Sequence, residues 1–221
     1  MEKSVAKKAP KTDQKAKIIT QFVEYVLEHG KEPVSVYKFA SGIGMNEEEF
    51  YKYYTSFDAV KSDVWVKFFN DTLTNLESQE VFQTYSAREK LLAFLYTWIE
   101  ELKKRRSYLI SLYGHYKPKV GIVPSELKQF RNAFKDFANE LVLEGKETEE
   151  IASRPILSDR YDDAMWLQIL FVFQFWLHDT SPSFEKTDAA IEKSVNLAFD
   201  LMGKSALDTF IDFAKFLYQN K

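Results

Sequence analysis

From Lys15 onward the apolar residues recur every three or four positions, the spacing that gives a helix one buried face. Ile18, Phe22, Tyr25 and Val26, flanked by Ile19 and Val23, predict a first helix over Lys15 to His29, with Gly30 as its C-terminal cap. Ser35 is a good N-cap for a second helix carrying Val36, Phe39, Ala40 and Ile43. Gly44 then tolerates a sharp turn, and Asn46 caps a third helix, Glu47 to Tyr54. Thr55 or Ser56 opens a long fourth helix through Val60, Val64, Trp65, Phe68, Leu73 and Leu76. Further amphipathic segments follow at about Ala87 to Lys104, Arg106 to Tyr116, Ser125 to Leu143, Asp159 to His178, Phe184 to Met202 and Ser205 to Tyr218. Pro118, Pro124, Pro155 and Pro182 fall between these segments or at their edges, where a residue lacking an N–H does least harm. Strand-like alternation with hairpin turns is missing, so the expected fold class is all-α.

Composition narrows the picture. The chain has 221 residues, 45% hydrophobic and 16% aromatic, enough for a substantial buried core. Its 30 Lys and Arg against 33 Asp and Glu leave a formal charge of −3, so any basic footprint for nucleic acid must be local. Residues 1 to 14, with Lys3, Lys7, Lys8 and Lys11, read as a disordered basic arm without the apolar stretch of a secretory signal. Cysteine is absent, which excludes disulfides and thiolate chemistry and suits a reducing compartment; a cytoplasmic location is expected. The longest apolar run, Ala164 to Leu177, is shorter than the roughly 20 residues of a membrane span and contains Gln168 and Gln174. His29, His115 and His178 are dispersed, so no metal site is expected. No phosphate loop, nucleophile elbow or paired-acid arrangement stands out, so neither cofactor nor enzymatic activity is expected.

The stretch VSVYKFASGIGMNEEEFYKYYTSF, Val34 to Phe57, has the layout of a helix-turn-helix. Ala40 is small where two helices would touch, and Gly44 follows four residues later at the turn. From Ile18 to Phe69 the pattern resembles the N-terminal domain of TetR-family transcriptional regulators: Phe50 falls at the family's usual leucine, Tyr51 at its tyrosine and Tyr54 at its phenylalanine. The resemblance implies a DNA-binding domain over residues 15 to 57, with Lys38, Asn46, Tyr51, Lys52 and Tyr53 at the DNA. It further implies a helical ligand-binding and dimerisation domain over 58 to 221, forming a homodimer through helices at about 159 to 178 and 184 to 202. Two features depart from the family. Glu47, Glu48 and Glu49 open the third helix where small or basic residues are usual, and Phe57 replaces a lysine that commonly reaches a phosphate. Between Lys31 and Lys61 four lysines face five acids. Carboxylates repel phosphates, but they also stabilise the N-terminal end of a helix. Two readings therefore stay open: a ligand-responsive regulator binding palindromic DNA, or a TetR-fold lipid or isoprenoid carrier that no longer binds DNA.

A second resemblance bears on that choice. His178 to Asn196, HDTSPSFEKTDAAIEKSVN, is similar to the C-terminal region of the lipid-binding accessory protein of ubiquinone biosynthesis, itself TetR-like in fold. The same residues also suit a plain structural role: Asp179 or Ser181 as cap, and Pro182 in a first turn. For a hydrophobic small molecule or lipid, the candidate lining is Trp98, Tyr113, His115, Phe134, Trp166, Gln168, Phe171 and Gln174, although any single aromatic at helical spacing is more often core. Lys103 to Arg106 form a basic run that suits a helix C-terminus.

Overall fold

The computed structural model describes residues 11–115, 123–154 and 160–203, with residues 11–13 described by backbone alone. Most of the expected arm, the expected helix Ser205 to Tyr218, Tyr116, Asp159, Pro118 and Pro155 lie outside these residues. Among the described residues every regular element is helical: α1 Lys11–His29, α2 Val36–Gly42, α3 Glu47–Tyr51, α4 Phe57–Glu77, α5 Ala87–Lys103, α6 Arg106–Tyr113, α7 Lys128–Glu147, α8 Tyr161–His178 and α9 Glu185–Met202. Short 3-10 turns at Glu80–Thr84, Ser125–Leu127 and Pro182–Phe184 precede α5, α7 and α9.

Local chemistry explains most of the boundaries. Ser35, Asn46 and Ser56 each accept a hydrogen bond from the backbone N–H three residues on, which starts α2, α3 and α4. Ser86 and Glu89 form a reciprocal capping box that starts α5. Gly30 and Gly44 take the left-handed conformation, φ 67° and 74°, at the ends of α1 and of the turn after α2. Two boundaries differ from expectation. α1 begins at Lys11 rather than Lys15, and α3 ends at Tyr51 rather than Tyr54, because the N–H groups of Lys52 and Tyr53 close tighter turns onto Glu49 and Phe50.

The chain divides into two compact units, one of residues 1–67 and 105–129, the other of 68–104 and 130–221. The division therefore falls within α4, and the first unit includes α6, far along the chain. Its core is aromatic: Phe57 stacks on Phe22 at 5.4 Å, and Phe39 meets Phe22, Phe50 and Phe57 edge-on. α6 joins this core through Tyr108, edge-on to Phe22, and through Tyr113, whose hydroxyl accepts a hydrogen bond from Trp65 Nε1 at 3.0 Å. Lys61 is buried among three carboxylates, those of Glu32 at 2.8 Å, Asp58 at 2.9 Å and Glu126 at 3.7 Å. Burial alone would lower its pKa, but hydrogen bonds to Glu32 and Asp58 outweigh this and raise it.

The second unit packs α5, α8 and α9 around another set of rings. Trp98 stacks on Phe130 at 5.6 Å, Trp166 meets Phe130 edge-on at 5.4 Å, and Phe134 lies 5.5 Å from Phe94. α8 and α9 run antiparallel as a hairpin. At the open end of the hairpin the buried Arg154 guanidinium donates to the carbonyls of Leu201, Met202 and Gly203 and to the Tyr161 hydroxyl. It thereby satisfies the acceptors that the C-terminal turn of α9 leaves over.

Candidate nucleic-acid and ligand sites

In the first unit α2 and α3 meet around Phe39, Ala40 and Phe50, which are all buried. Gly44 makes the turn between them, and the Asn46 side chain caps α3 at 2.8 Å from Glu49 N. This is helix-turn-helix geometry, built by the residues that the sequence pattern singles out. Its outer surface carries Lys38, Tyr51 and Lys52, all exposed, while Tyr53 is half-buried. Two of these groups already have carboxylate partners on α3 itself. Lys52 pairs with Glu48 at 3.3 Å, and the Tyr51 hydroxyl donates to Glu47 at 3.4 Å. Asn46 spends its side-chain oxygen on the cap. Phe57, at the position of the expected phosphate-contacting lysine, points into the core against Phe22, Phe39 and Phe50.

In the second unit the candidate ligand residues occupy different environments. Trp98, Phe134 and Trp166 are buried rings in contact with other rings. Gln168 and Phe171 instead line a groove of about 420 Å³ between the outer sides of α8 and α9, together with Tyr161, Met165, Leu197 and Leu201. Gln174 is half-buried and its Nε2 lies inside the protein without a hydrogen-bond partner among the described residues. Tyr113 belongs to the first unit, and burial pushes its phenol far above the usual tyrosine range. His115 is exposed. Of the eight residues, Gln168 and Phe171 line the groove between α8 and α9. No group of three or more His, Asp or Glu side chains among the described residues is arranged to hold a metal ion.

Residues 90–217, more than half of the chain, match the family described as Tetracyclin repressor-like, C-terminal domain. This chain belongs to the TetR family. Its fold is similar to that of a TetR transcriptional regulator from Nitrosomonas europaea, at 15% identity and a TM-score of 0.58 over 84% of this chain and 97% of that one. It is likewise similar to a putative TetR-family transcription regulator from Shewanella sp. PV-4, at 13% identity and a TM-score of 0.59 over 88% and 98%. A protein with unknown function from Rhodococcus sp. RHA1 aligns at 14% identity and a TM-score of 0.58 over 91% and 100%. At these identities the likeness is one of fold. No curated protein matches the sequence.

The segment after α8 is held by side-chain hydrogen bonds. The buried Asp179 carboxylate accepts from Ser181 N and Oγ at 2.8 and 2.6 Å and from Thr187 N and Oγ1 at 2.9 and 2.7 Å. Burial on its own would raise its pKa; these donors outweigh it and hold the carboxyl well below the usual range. The clasp carries the chain through Ser183 and Phe184, both left-handed at φ 52° and 64°, into α9. Phe184 then rests near Trp176, with the Lys103 ammonium 5.2 Å above its ring. Within the Asp-Thr-Ser-Pro-Ser-Phe-Glu-Lys-Thr run, Asp179, Ser181, Phe184 and Thr187 thus serve the joint between α8 and α9. No helix among the described residues is long and apolar enough to cross a membrane.

Proposed function

We propose that this protein is a ligand-responsive TetR-type regulator that acts on palindromic DNA as a homodimer and answers to a hydrophobic small molecule. The observation that carries this reading is the complete helix-turn-helix of the first unit in a chain of the TetR family. Ala40 at the helix contact, Gly44 in the left-handed turn and Asn46 at the cap are each in place. Lys38, Asn46, Tyr51, Lys52 and Tyr53 are the proposed contacts, with half-sites about one helical turn of DNA apart, ~34 Å or a multiple. The protein is cytoplasmic and non-enzymatic in this reading.

One observation favours a second reading, a TetR-fold lipid or isoprenoid carrier without operator binding. Lys52 and Tyr51 are held by Glu48 and Glu47, so gripping phosphate would exchange existing contacts for new ones beside three carboxylates. Selection of the purified protein against a random duplex library, at low and physiological salt, separates the two. Enrichment of a palindrome that is lost on Lys52→Ala and Tyr51→Ala supports the regulator. No enrichment at either salt sinks it, and lipid co-purifying by mass spectrometry would then support the carrier.

The dimer reading rests on α8 and α9, the helices within about 159 to 178 and 184 to 202. Their outer sides expose Leu167 (53%), Phe171 (48%), Phe175 (37%), Leu197 (60%) and Leu201 (52%). Five large apolar side chains left exposed on two neighbouring helices are the kind of surface that marks an interaction site on a soluble protein.

A further inference from the structure

The outward face of α8 and α9 is apolar at both ends and polar at its middle. Gln168 stands near the centre of α8 and Ser194 near the centre of α9, and Gln168 Nε2 donates to Ser194 Oγ at 3.0 Å. Ser194 Oγ in turn donates to the Ile191 carbonyl at 3.1 Å. The serine's donor is thus used, and Gln168 Oε1 lies buried without a hydrogen-bond partner among the described residues. The groove is also lined by Met165, Leu167, Phe171, Leu197 and Leu201, which offer no side-chain donor, and by Arg154 and Tyr161, where the guanidinium is engaged on the Tyr161 hydroxyl and the carbonyls of Leu201, Met202 and Gly203.

A buried acceptor left without a donor costs free energy, and covering the groove with a purely apolar partner would leave that cost in place. A two-fold symmetric contact brings each residue of the patch to its own symmetry mates, and a residue on the axis meets itself. Few side chains satisfy themselves in that position. A primary amide does, because it carries both donor and acceptor: one Gln168 N–H is committed to Ser194 while the second N–H and the oxygen remain. The terminal torsion of glutamine is soft, so the amide can turn from the floor of the groove toward a partner at little cost.

Resting on the homodimer reading above, we propose that Gln168 pairs with the partner's Gln168 across the two-fold axis. This amide pair is the polar pin that sets register and partner choice in an otherwise apolar four-helix contact. A single buried polar residue in an apolar seam fixes register in the same way in coiled coils, at some cost in stability. Heterologous or slipped pairings would bury each amide against apolar side chains and are disfavoured for that reason.

The cysteine-free chain makes the test direct. Single Gln168→Cys and Ala164→Cys variants of the full chain are oxidised mildly, and the wild type is sized by sedimentation equilibrium. On-axis cysteines lie within disulfide reach, whereas positions one turn off the axis are about 11 Å from their symmetry mates, beyond the ~7 Å limit between Cα atoms. The expected result is a wild-type dimer, a nearly complete covalent dimer for Gln168→Cys and little for Ala164→Cys. A monomeric wild type overturns the homodimer reading and the pairing with it. A dimeric wild type without the Gln168→Cys cross-link overturns the pairing alone. Gln168→Glu supplies a second readout: two facing carboxylates weaken the dimer at least tenfold at pH 8 relative to pH 5, where one proton can be shared. A Gln168→Glu dimer whose dissociation constant does not change with pH overturns the pairing. Gln168→Leu, checked for fold by circular dichroism, remains dimeric without the pH response.

Discussion

Asp179 shows how one side chain can decide a junction. Its carboxylate takes four hydrogen bonds from Ser181 and Thr187 and lets the chain turn through two left-handed residues. Asp179→Ala should destabilise the protein by about 1 to 3 kcal/mol, measured by urea unfolding. Because the folded pKa is depressed, this contribution is present above the unfolded carboxylate range, near pH 4, and is lost as pH falls below it. The wild type should therefore lose stability steeply below about pH 4, and Asp179→Ala should lose less over that interval. Lys61 has the opposite sign. Its raised pKa means its contribution persists up to the unfolded lysine range, near pH 10.4, and falls as pH rises through the folded value. Lys61→Met leaves Glu32, Asp58 and Glu126 facing one another and should cost about 3 to 5 kcal/mol at pH 7, with part recovered at pH 4 as the carboxylates take up protons. Residues of the first kind were legible in the sequence, since Asp179 and Ser181 could be read as caps from their neighbours alone. The Lys61 cluster was not, because its partners stand 29 positions before it, three before it and 65 after it, and no periodic pattern reports such a meeting.

Among the elements, α3 carries the functional question. Its five residues are begun by Asn46 and three glutamates, which suit the positive end of a helix. Changing Glu47, Glu48 and Glu49 together to Gln removes those favourable charges, about 0.3 to 1 kcal/mol each, and frees Lys52 from Glu48. The triple variant should be slightly less stable by thermal melting yet bind duplex DNA more tightly at low salt, with a steeper salt dependence. Unchanged DNA affinity would mean that α3 does not face the phosphates. The start of α4 shows where element-level reading stops. A family pattern places a phosphate contact at residue 57, but half-buried Phe57 packs against three other rings, and only their meeting in space reveals that role. α8 poses the complementary difficulty: it is apolar on all sides, so periodicity could not separate the inward Trp166 and Phe173 from the outward Leu167 and Phe171.

For the molecule as a whole, stability should depend on protein concentration if copies associate through α8 and α9. The melting temperature of the wild type is expected to rise with concentration, and Phe171→Asp with Leu197→Asp should abolish that dependence while leaving helical content unchanged. A wild type whose melting temperature is flat over a hundredfold concentration range would count against association. The helical class and the order of the elements followed from spacing and caps, but the division into units did not. α6 returns to the first unit through Tyr108 and Tyr113, contacts with residues more than forty positions away that sequence order conceals. Arg154, finally, has a consequence for motion. Helix ends ordinarily fray, and their amides exchange with solvent within the faster part of the range. With its guanidinium bridging three carbonyls at the end of α9 and the hydroxyl at the start of α8, Arg154 should make the amides of Ala198 to Gly203 exchange as slowly as those at mid-helix. In Arg154→Met only that last turn should speed up in deuterium uptake, which would show that one side chain governs the local opening of the hairpin.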